Sequence, residues 1–273
     1  LYCILICKLL NTKIIVRSNS SPSGWSKKFF KKKLFKLLFG IADTIIVNSY
    51  DFKKEFKKRF NLNTVMIYNP LNKNEILKLS KKKIFFPFFD KSKNCLKIIN
   101  IGRFTDQKDH LTLLKSVNEL KDKINIRLLI IGRGVNYYKL TKYIDINKMN
   151  KIVKILNFKK NPFPYLKKAD VFLLTSKFEG LPNVLLEAAT LKKNIISTDC
   201  PTGPREILND GKYGVLCEVE NYKQISEKII QLRSKNKKAL NKITNLAYKN
   251  LDRFDYKFNL NKYYLEIKKL YKL

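Results

Sequence analysis

Histidine is almost absent. His110 is the single one in 273 residues, which removes His-based catalytic triads and most His-bearing zinc sites from consideration. Any chemistry must therefore run on carboxylates, Lys, Arg and backbone dipoles. Cysteine is sparse as well: Cys3, Cys7, Cys95, Cys200 and Cys217 form an odd set without C-x-x-C spacing. A chain of this size needs no disulfide staples, and a reducing compartment fits. A long apolar run is lacking too. The opening LYCILICKLL is interrupted by Lys8 and has no basic leader, and it falls well short of the roughly 18 apolar residues that a membrane-crossing helix needs. It reads as a buried helix, and the chain is expected to be soluble or peripheral.

Acidic residues are outnumbered, 22 against 57 basic ones, for a formal charge of +35. Such an excess can signal nucleic acid, an anionic membrane or merely a solvated surface. Only eight of the 57 are arginine, whereas readers of bases and phosphates lean on its bidentate fork. A Lys-rich solvated surface is the first reading and membrane attraction the second. No nucleic-acid partner is expected, although a Lys-rich, non-catalytic nucleic-acid-binding protein stays as an alternative of a different class. Hydrophobic residues make up 45% of the chain, enough for one large or two modest domains. The first residue is Leu and the first stretch reads as the middle of something, so a truncated start is expected.

Short runs of branched apolar residues alternate with helical patterns. The strands are expected at 13–16, 44–48, 65–68, 97–101, 126–131, 152–156, 171–175 and 194–197. Alternation of this kind builds βαβ units, hence a doubly wound α/β architecture with parallel sheets, whose ligands belong at the carboxyl ends of the strands. Three strands precede a Lys-rich interval, 71–94, which carries IFFPFFD and reads as a hinge or linker. The expected division is an incomplete N-terminal domain over 1–78, a linker over 79–94, a second domain over 95–253 and a C-terminal packing helix over 254–273. Between Trp25 and Ile41, the residues Phe30, Leu34, Leu37, Leu38 and Ile41 fall on one helical stripe, expected as core. Phe29, Phe35 and Phe39 fall among lysines on the opposite arc, the combination of a helix lying on an anionic bilayer.

Two strand ends carry chemistry. After the strand KIIN comes Gly102-Arg103-Phe104-Thr105-Asp106-Gln107-Lys108, then a helical pattern. Glycine admits close backbone approach, the helix N-terminus offers unpaired N–H groups, and Arg103 and Lys108 add positive charge, so the turn suits a diphosphate. Taken alone, such a turn is commonplace. After VFLLT comes Ser176 through Glu187, with Pro182 suited to a first helical turn. Gly180 to Asn183 would present backbone N–H groups there. Glu179 and Glu187 would stand about 12 Å apart at helical rise, a span suited to hydroxyls at both ends of a nucleotide-sugar. Gly132-Arg133-Gly134 begins like a dinucleotide fingerprint but has Tyr137 at the third glycine position. It reads as a tight turn. Gly203-Pro204-Arg205-Glu206 reads equally as a rigid turn or as cleft wall.

GRFTDQK, EGLPNVLLE and CPTGPREILNDGKYGVLC, in this order and spacing, resemble the signature segments of glycosyltransferase family 4. The resemblance runs from IIVRSNSS to the terminal helix. It implies a GT-B fold, two Rossmann-like lobes facing a cleft, the N-terminal one incomplete, and sugar transfer with retention and without a bound metal; this chain likewise has no D-x-D. It implies catalytic roles for Arg103 and Lys108 on the donor diphosphate and for Glu179 on the transferred sugar. Donor binding would fall to Gly102, Gly180, Leu181, Pro182, Asn183, Val184 and Glu187, the last on the ribose, with Asn157 and Phe158 near the base. No cofactor is implied beyond the donor, with a UDP-sugar favoured.

Two departures stand out. Relatives often show a histidine where this chain reads Arg17-Ser18-Asn19-Ser20, and a glycine where Asp109 puts a negative charge beside the phosphate site. The expected activity is transfer of a hexose or N-acetylhexosamine to a glycan or lipid-linked acceptor in surface polysaccharide or lipopolysaccharide assembly. The expected place is cytoplasmic, peripheral on the inner face of the inner membrane through Trp25 to Ile41. An inactive scaffold of the same fold is a further alternative.

Overall fold

All eight stretches read as strands form strands in a computed structural model that describes residues 2–19, 29–91 and 94–271. In the N-terminal lobe β1 (Ile15–Ser18), β2 (Thr44–Val47) and β3 (Val65–Met66) pair in parallel in that order. They are interleaved with α1 (Tyr2–Leu9), α2 (Phe29–Gly40) and α3 (Tyr50–Phe60). Two helices, α4 (Lys73–Ser80) and α5 (Pro87–Asp90), lead to the second lobe. There β4 (Leu96–Ile101), β5 (Ile126–Gly132), β6 (Val153–Asn157), β7 (Val171–Leu174), β8 (Asn194–Thr198) and β9 (Val215–Cys217) form one parallel sheet in the order β6-β5-β4-β7-β8-β9.

The helices between and after these strands are α6 (His110–Asn118), α7 (Tyr137–Ile146), α8 (Phe163–Lys168), α9 (Asn183–Thr190), α10 (Pro204–Ile207), α11 (Tyr222–Ser234), α12 (Lys237–Asn250) and α13 (Tyr256–Tyr271). β9 was not read from the sequence. It is three residues long on the sheet edge, too short for a hydrophobic pattern.

The strand order fixes where a ligand belongs. The chain builds outward from β4 to β6 and then crosses back to set β7 beside β4, so the loops after β4 and β7 diverge and leave a crevice between them. Continuous apolar runs in the central strands follow from cover on both faces. Ile98, Leu128, Leu173 and Ile196 pack on one face of the sheet, and their neighbours Ile99, Leu129, Phe172 and Ile195 on the other.

The interval expected as a linker is folded onto the second lobe: Ile76, Phe86 and Phe89 are buried in its core, with Phe86 edge-on to Tyr165. Its two helices are eight and four residues long, too short to display a helical period. The N-terminal lobe closes over an aromatic stack, with Phe52, Phe56 and Phe60 successive on one face of α3 and Phe39 against Phe56 at 5.3 Å.

That stack reverses the expectation for α2. Phe39 is buried and Phe35 stacks on it, whereas Phe30, Leu34, Leu37 and Ile41, read as core, are exposed; of that stripe only Leu38 is buried. The helix is apolar on both arcs, and its partner α3 chooses the one with Phe39. The part of the expected helix before Phe29, Trp25 included, lies outside the described residues. α1 departs similarly: Ile4 is buried, but Leu5, Ile6, Leu9 and Leu10 stay exposed. α13 returns toward the N-terminal lobe, burying Asn259 and leaving Phe258, Leu260, Leu265 and Ile267 exposed.

Candidate active site

The turn after β4 passes through a 3-10 turn at Asp106–Lys108 and enters α6. Asp109, where a glycine was expected, has a φ of +44° and is the N-cap of α6. Its carboxylate accepts the Thr112 N–H at 3.3 Å and the Thr112 hydroxyl at 2.7 Å. Aspartate is among the few residues that tolerate this left-handed backbone and cap a helix as well. The negative charge expected beside a phosphate is thus committed to the helix. Gly132 and Gly134 serve close packing: a Cβ on Gly132 would meet the Gly102 carbonyl oxygen at 1.9 Å, and one on Gly134 the Phe104 carbonyl oxygen at 2.5 Å.

The turns after β4 and β7 are stitched together. Thr175 Oγ1 donates to the Lys108 and Asp109 carbonyls at 3.1 and 2.9 Å, and Gln107 Nε2 donates to the Phe178 carbonyl at 2.9 Å. Thr202 Oγ1 donates to the Glu179 carbonyl at 2.6 Å. With both turns held, Lys108 Nζ donates to Glu179 Oε1 at 2.5 Å, and the two side chains are only 14% and 8% exposed. In the sequence these residues belong to separate motifs. α9 begins at Asn183, with Pro182 as its N-cap, so the helical spacing assumed between Glu179 and Glu187 holds only from Asn183 onward.

Two adjoining cavities meet at Val184. One, of about 440 Å³, lies wholly in the second lobe, where Gly102, Arg103, Phe158 and Glu187 line it. Arg133 also lines it and lies over the Phe158 ring at 5.1 Å. The other, of about 400 Å³, opens between the lobes, with Lys108, Glu179, Leu181, Pro182 and Asn183 on one wall and Arg17, Asn48 and Asn69 on the other. Every residue expected at the site therefore faces one of these spaces except Asn157, exposed at the end of β6, and Gly180. Gly180 packs against the opposite lobe: a Cβ there would stand 2.2 Å from the Asn19 carbonyl oxygen.

The N-terminal wall was the part that sequence reasoning missed. Asn69 Nδ2 donates to the Leu181 carbonyl at 3.1 Å and to Asn183 Oδ1 at 2.6 Å, joining the lobes. Glu206 joins them again, accepting the Tyr50 N–H and the Tyr68 hydroxyl. The GPRE turn is thereby a rigid turn, with Gly203 at a φ of +88° against the Gly180 carbonyl, and also an inter-lobe contact. Asn48 and Asn69 stand where β2 and β3 run out, the place the parallel-sheet rule marks, but nothing in their local sequence says that they meet.

Burial raises the Glu187 carboxyl to about 7, well above its ordinary value. His110 is buried against Phe104, and burial together with the Lys108 charge lowers it to about 4. The site thus offers an ion pair at the junction of the lobes, a second cation in Arg103, a carboxyl at the far end, and a half-open aromatic–arginine stack.

Residues 80–250 match the family model described as glycosyl transferases group 1. The chain is 34% identical over 227 residues to an uncharacterized glycosyltransferase of Methanocaldococcus jannaschii, with 76% of this chain and 56% of that protein covered. It is 28% identical over 218 residues to the N-acetylgalactosamine-N,N'-diacetylbacillosaminyl-diphospho-undecaprenol 4-alpha-N-acetylgalactosaminyltransferase of Campylobacter jejuni, covering 77% of this chain and 57% of that one. The chain thus spans little more than half the length of these curated relatives. Among solved structures it superposes on Anabaena HepE, crystallised with UDP and glucose, with a TM-score of 0.83, 18% identity and coverage of 97% of this chain and 74% of that one. That likeness is one of fold: two parallel-sheet lobes in the GT-B arrangement.

Proposed function

The chain belongs to the group 1 glycosyltransferases, and on that premise we propose that it is a retaining, metal-independent enzyme of family 4. It transfers a hexose or N-acetylhexosamine from a nucleotide-diphosphate sugar, UDP-linked by preference, to a glycan or lipid-linked acceptor in surface polysaccharide assembly. The donor domain read from the sequence over 95–253 forms part of this proposal, with α4 and α5 of the preceding interval packed on its core.

The observation that carries it is the Lys108–Glu179 pair at the junction of two contiguous cavities. The Phe158–Arg133 stack and the Glu187 carboxyl suit a base and its ribose in the inner cavity. The diphosphate then falls near Arg103 and Lys108, and the sugar beside Glu179. Breaking the anomeric C–O bond builds positive charge on carbon and negative charge on the departing diphosphate, and fixed cations aimed at the latter stabilise the transition state without a metal ion. In support of donor and acceptor class, HepE is described with UDP and glucose, and the Campylobacter relative is named for a diphospho-undecaprenol-linked substrate. Family membership favours transfer over the nucleic-acid alternative.

Calorimetric titration of the chain with UDP, GDP and ADP tests this reading. UDP binding that falls at least tenfold in Arg103→Ala and in Glu187→Ala supports it, whereas binding of none of the three nucleotides refutes it.

A peripheral membrane contact is the second part of the proposal, moved to a different arc from the one the sequence suggested. Phe30, Leu34 and Leu37 of α2 are more than half exposed, as are Leu9 and Leu10 at the end of α1, and Lys31, Lys32, Lys33 and Lys36 flank the three on α2. Apolar side chains bordered by lysines suit the boundary of an anionic bilayer. No helix among the described residues is long and apolar enough to cross a membrane. Co-sedimentation with phosphatidylglycerol vesicles that persists in a Phe30/Leu34/Leu37 triple Ser variant counts against this contact.

A further inference from the structure

We propose that the acceptor carries an acidic group which the Arg17 guanidinium binds, across the cleft from the Lys108–Glu179 pair. This rests on the transferase reading of the cleft and adds the chemical class of the acceptor.

Arg17, Asn48 and Asn69 stand at the carboxyl ends of neighbouring strands and line the 400 Å³ cavity between the lobes. Asn69 is saturated. Its Nδ2 serves Leu181 and Asn183, and its Oδ1 accepts from Arg17 Nη2 at 2.6 Å and from Asn48 Nδ2 at 3.3 Å. Arg17 therefore has a fixed position, with the Tyr263 ring 5.7 Å from its guanidinium carbon. Its anchors are an amide oxygen and an aromatic ring, and neither carries charge.

The charge balance of the cavity follows. Its lining holds two cations, Arg17 and Lys108, and one acid, Glu179. Lys108 is paired with that acid. Among the described residues no carboxylate lies within ion-pair distance of Arg17, in contrast to Arg205, which is held by Asp199 and Asp210. Among the described residues, the cavity thus offers one uncompensated guanidinium with N–H donors to spare.

A guanidinium has five donors in a planar fork that matches carboxylate and phosphate geometry. A neutral sugar would leave that charge uncompensated, while an acid gains paired, charge-assisted bonds. The acid can be the carboxylate of a uronic-type sugar or the phosphate that joins a sugar to a lipid.

Saturation-transfer NMR titrations of the chain in the presence of UDP distinguish these sources. The probes are methyl glucuronide, N-acetylglucosamine diphospho-farnesol and the neutral control methyl glucoside. The expected result is at least tenfold tighter binding of one acidic probe than of the control. Arg17→Gln should abolish that preference and Arg17→Lys should keep part of it, with UDP affinity measured in each variant as the check on folding. Three results overturn the proposal: a wild type that binds UDP without any acid preference, an Arg17→Gln variant that keeps the preference, or one that loses UDP affinity, which would assign Arg17 to the donor. A wild type that binds no UDP removes the transferase reading first and this proposal with it.

Discussion

Glu206, on the second lobe, sits at the N-terminus of α3 on the first, where its Oε2 accepts the Tyr50 N–H at 2.8 Å. An anion at the positive end of a helix is favourable, and the same carboxylate accepts the Tyr68 hydroxyl at 2.6 Å. Glu206→Ala should therefore cost about 1–3 kcal/mol, the usual penalty for a partly buried donor, here the Tyr68 hydroxyl, left without a partner. Thermal unfolding reads the loss. Because the inner cavity is built by the second lobe alone, UDP affinity should hold while sugar transfer falls.

Lys108 and Glu179 should respond as a unit. Removing one partner of a buried pair leaves an uncompensated charge and costs about 3–5 kcal/mol, so Lys108→Ala and Glu179→Ala should each lower the melting temperature. The double replacement Lys108→Met with Glu179→Gln should recover most of that stability yet stay at least 100-fold down in transfer, on the scale of losing one preorganised electrostatic group. Recovery of activity with stability would assign the pair a merely structural role.

Gly180→Ala isolates the approach of the two lobes. The added Cβ would stand 2.2 Å from the Asn19 carbonyl oxygen and 3.4 Å from Asn48 Nδ2, which the backbone can accommodate only by opening the cleft. Transfer should fall at least tenfold, while UDP titrates as in the wild type. A variant with unimpaired transfer would show that the lobes need not come this close.

Glu187 and His110 impose opposite pH trends on stability. The Glu187 carboxyl, near 7 when folded and about 4.3 when unfolded, contributes stability that is present below the unfolded value and is lost as pH rises through 7. His110, near 4 when folded and about 6.5 when unfolded, contributes stability that is present above 6.5 and is lost as pH falls through 4. Each shift corresponds to roughly 3 kcal/mol, and the two slopes oppose each other between about pH 4.5 and 6.5. Urea denaturation across this window should give a nearly level profile for the wild type. His110→Phe should expose the Glu187 slope, with stability falling as pH rises, and Glu187→Gln the reverse.

The strands were legible because a parallel sheet covered on both faces demands unbroken branched apolar runs, and KIIN, VFLLT and their kin supply them. The motif turns were legible because glycine, proline and isolated charges at strand ends have few other uses. α2 was not: Phe35 and Phe39 on one arc and Phe30, Leu34 and Leu37 on the other are equally apolar, and the partner helix α3 decides between them. Asn69 was missed because an amide side chain at a loop position carries no periodic signal, and the GPRE turn showed Glu206 at a strand end without saying that it reaches Tyr50 and Tyr68 on the other lobe.

What the amino-acid order determined by itself was the alternation of elements, the parallel sheets and the two charged turns, since hydrophobic period and turn chemistry act over a few residues. Only the tertiary structure decided that Lys108 meets Glu179, that Asp109 caps a helix instead of facing the cleft, and that no carboxylate among the described residues stands at ion-pair distance from Arg17. Those facts depend on contacts between segments tens of residues apart, which form only when the two sheets are folded and set against each other.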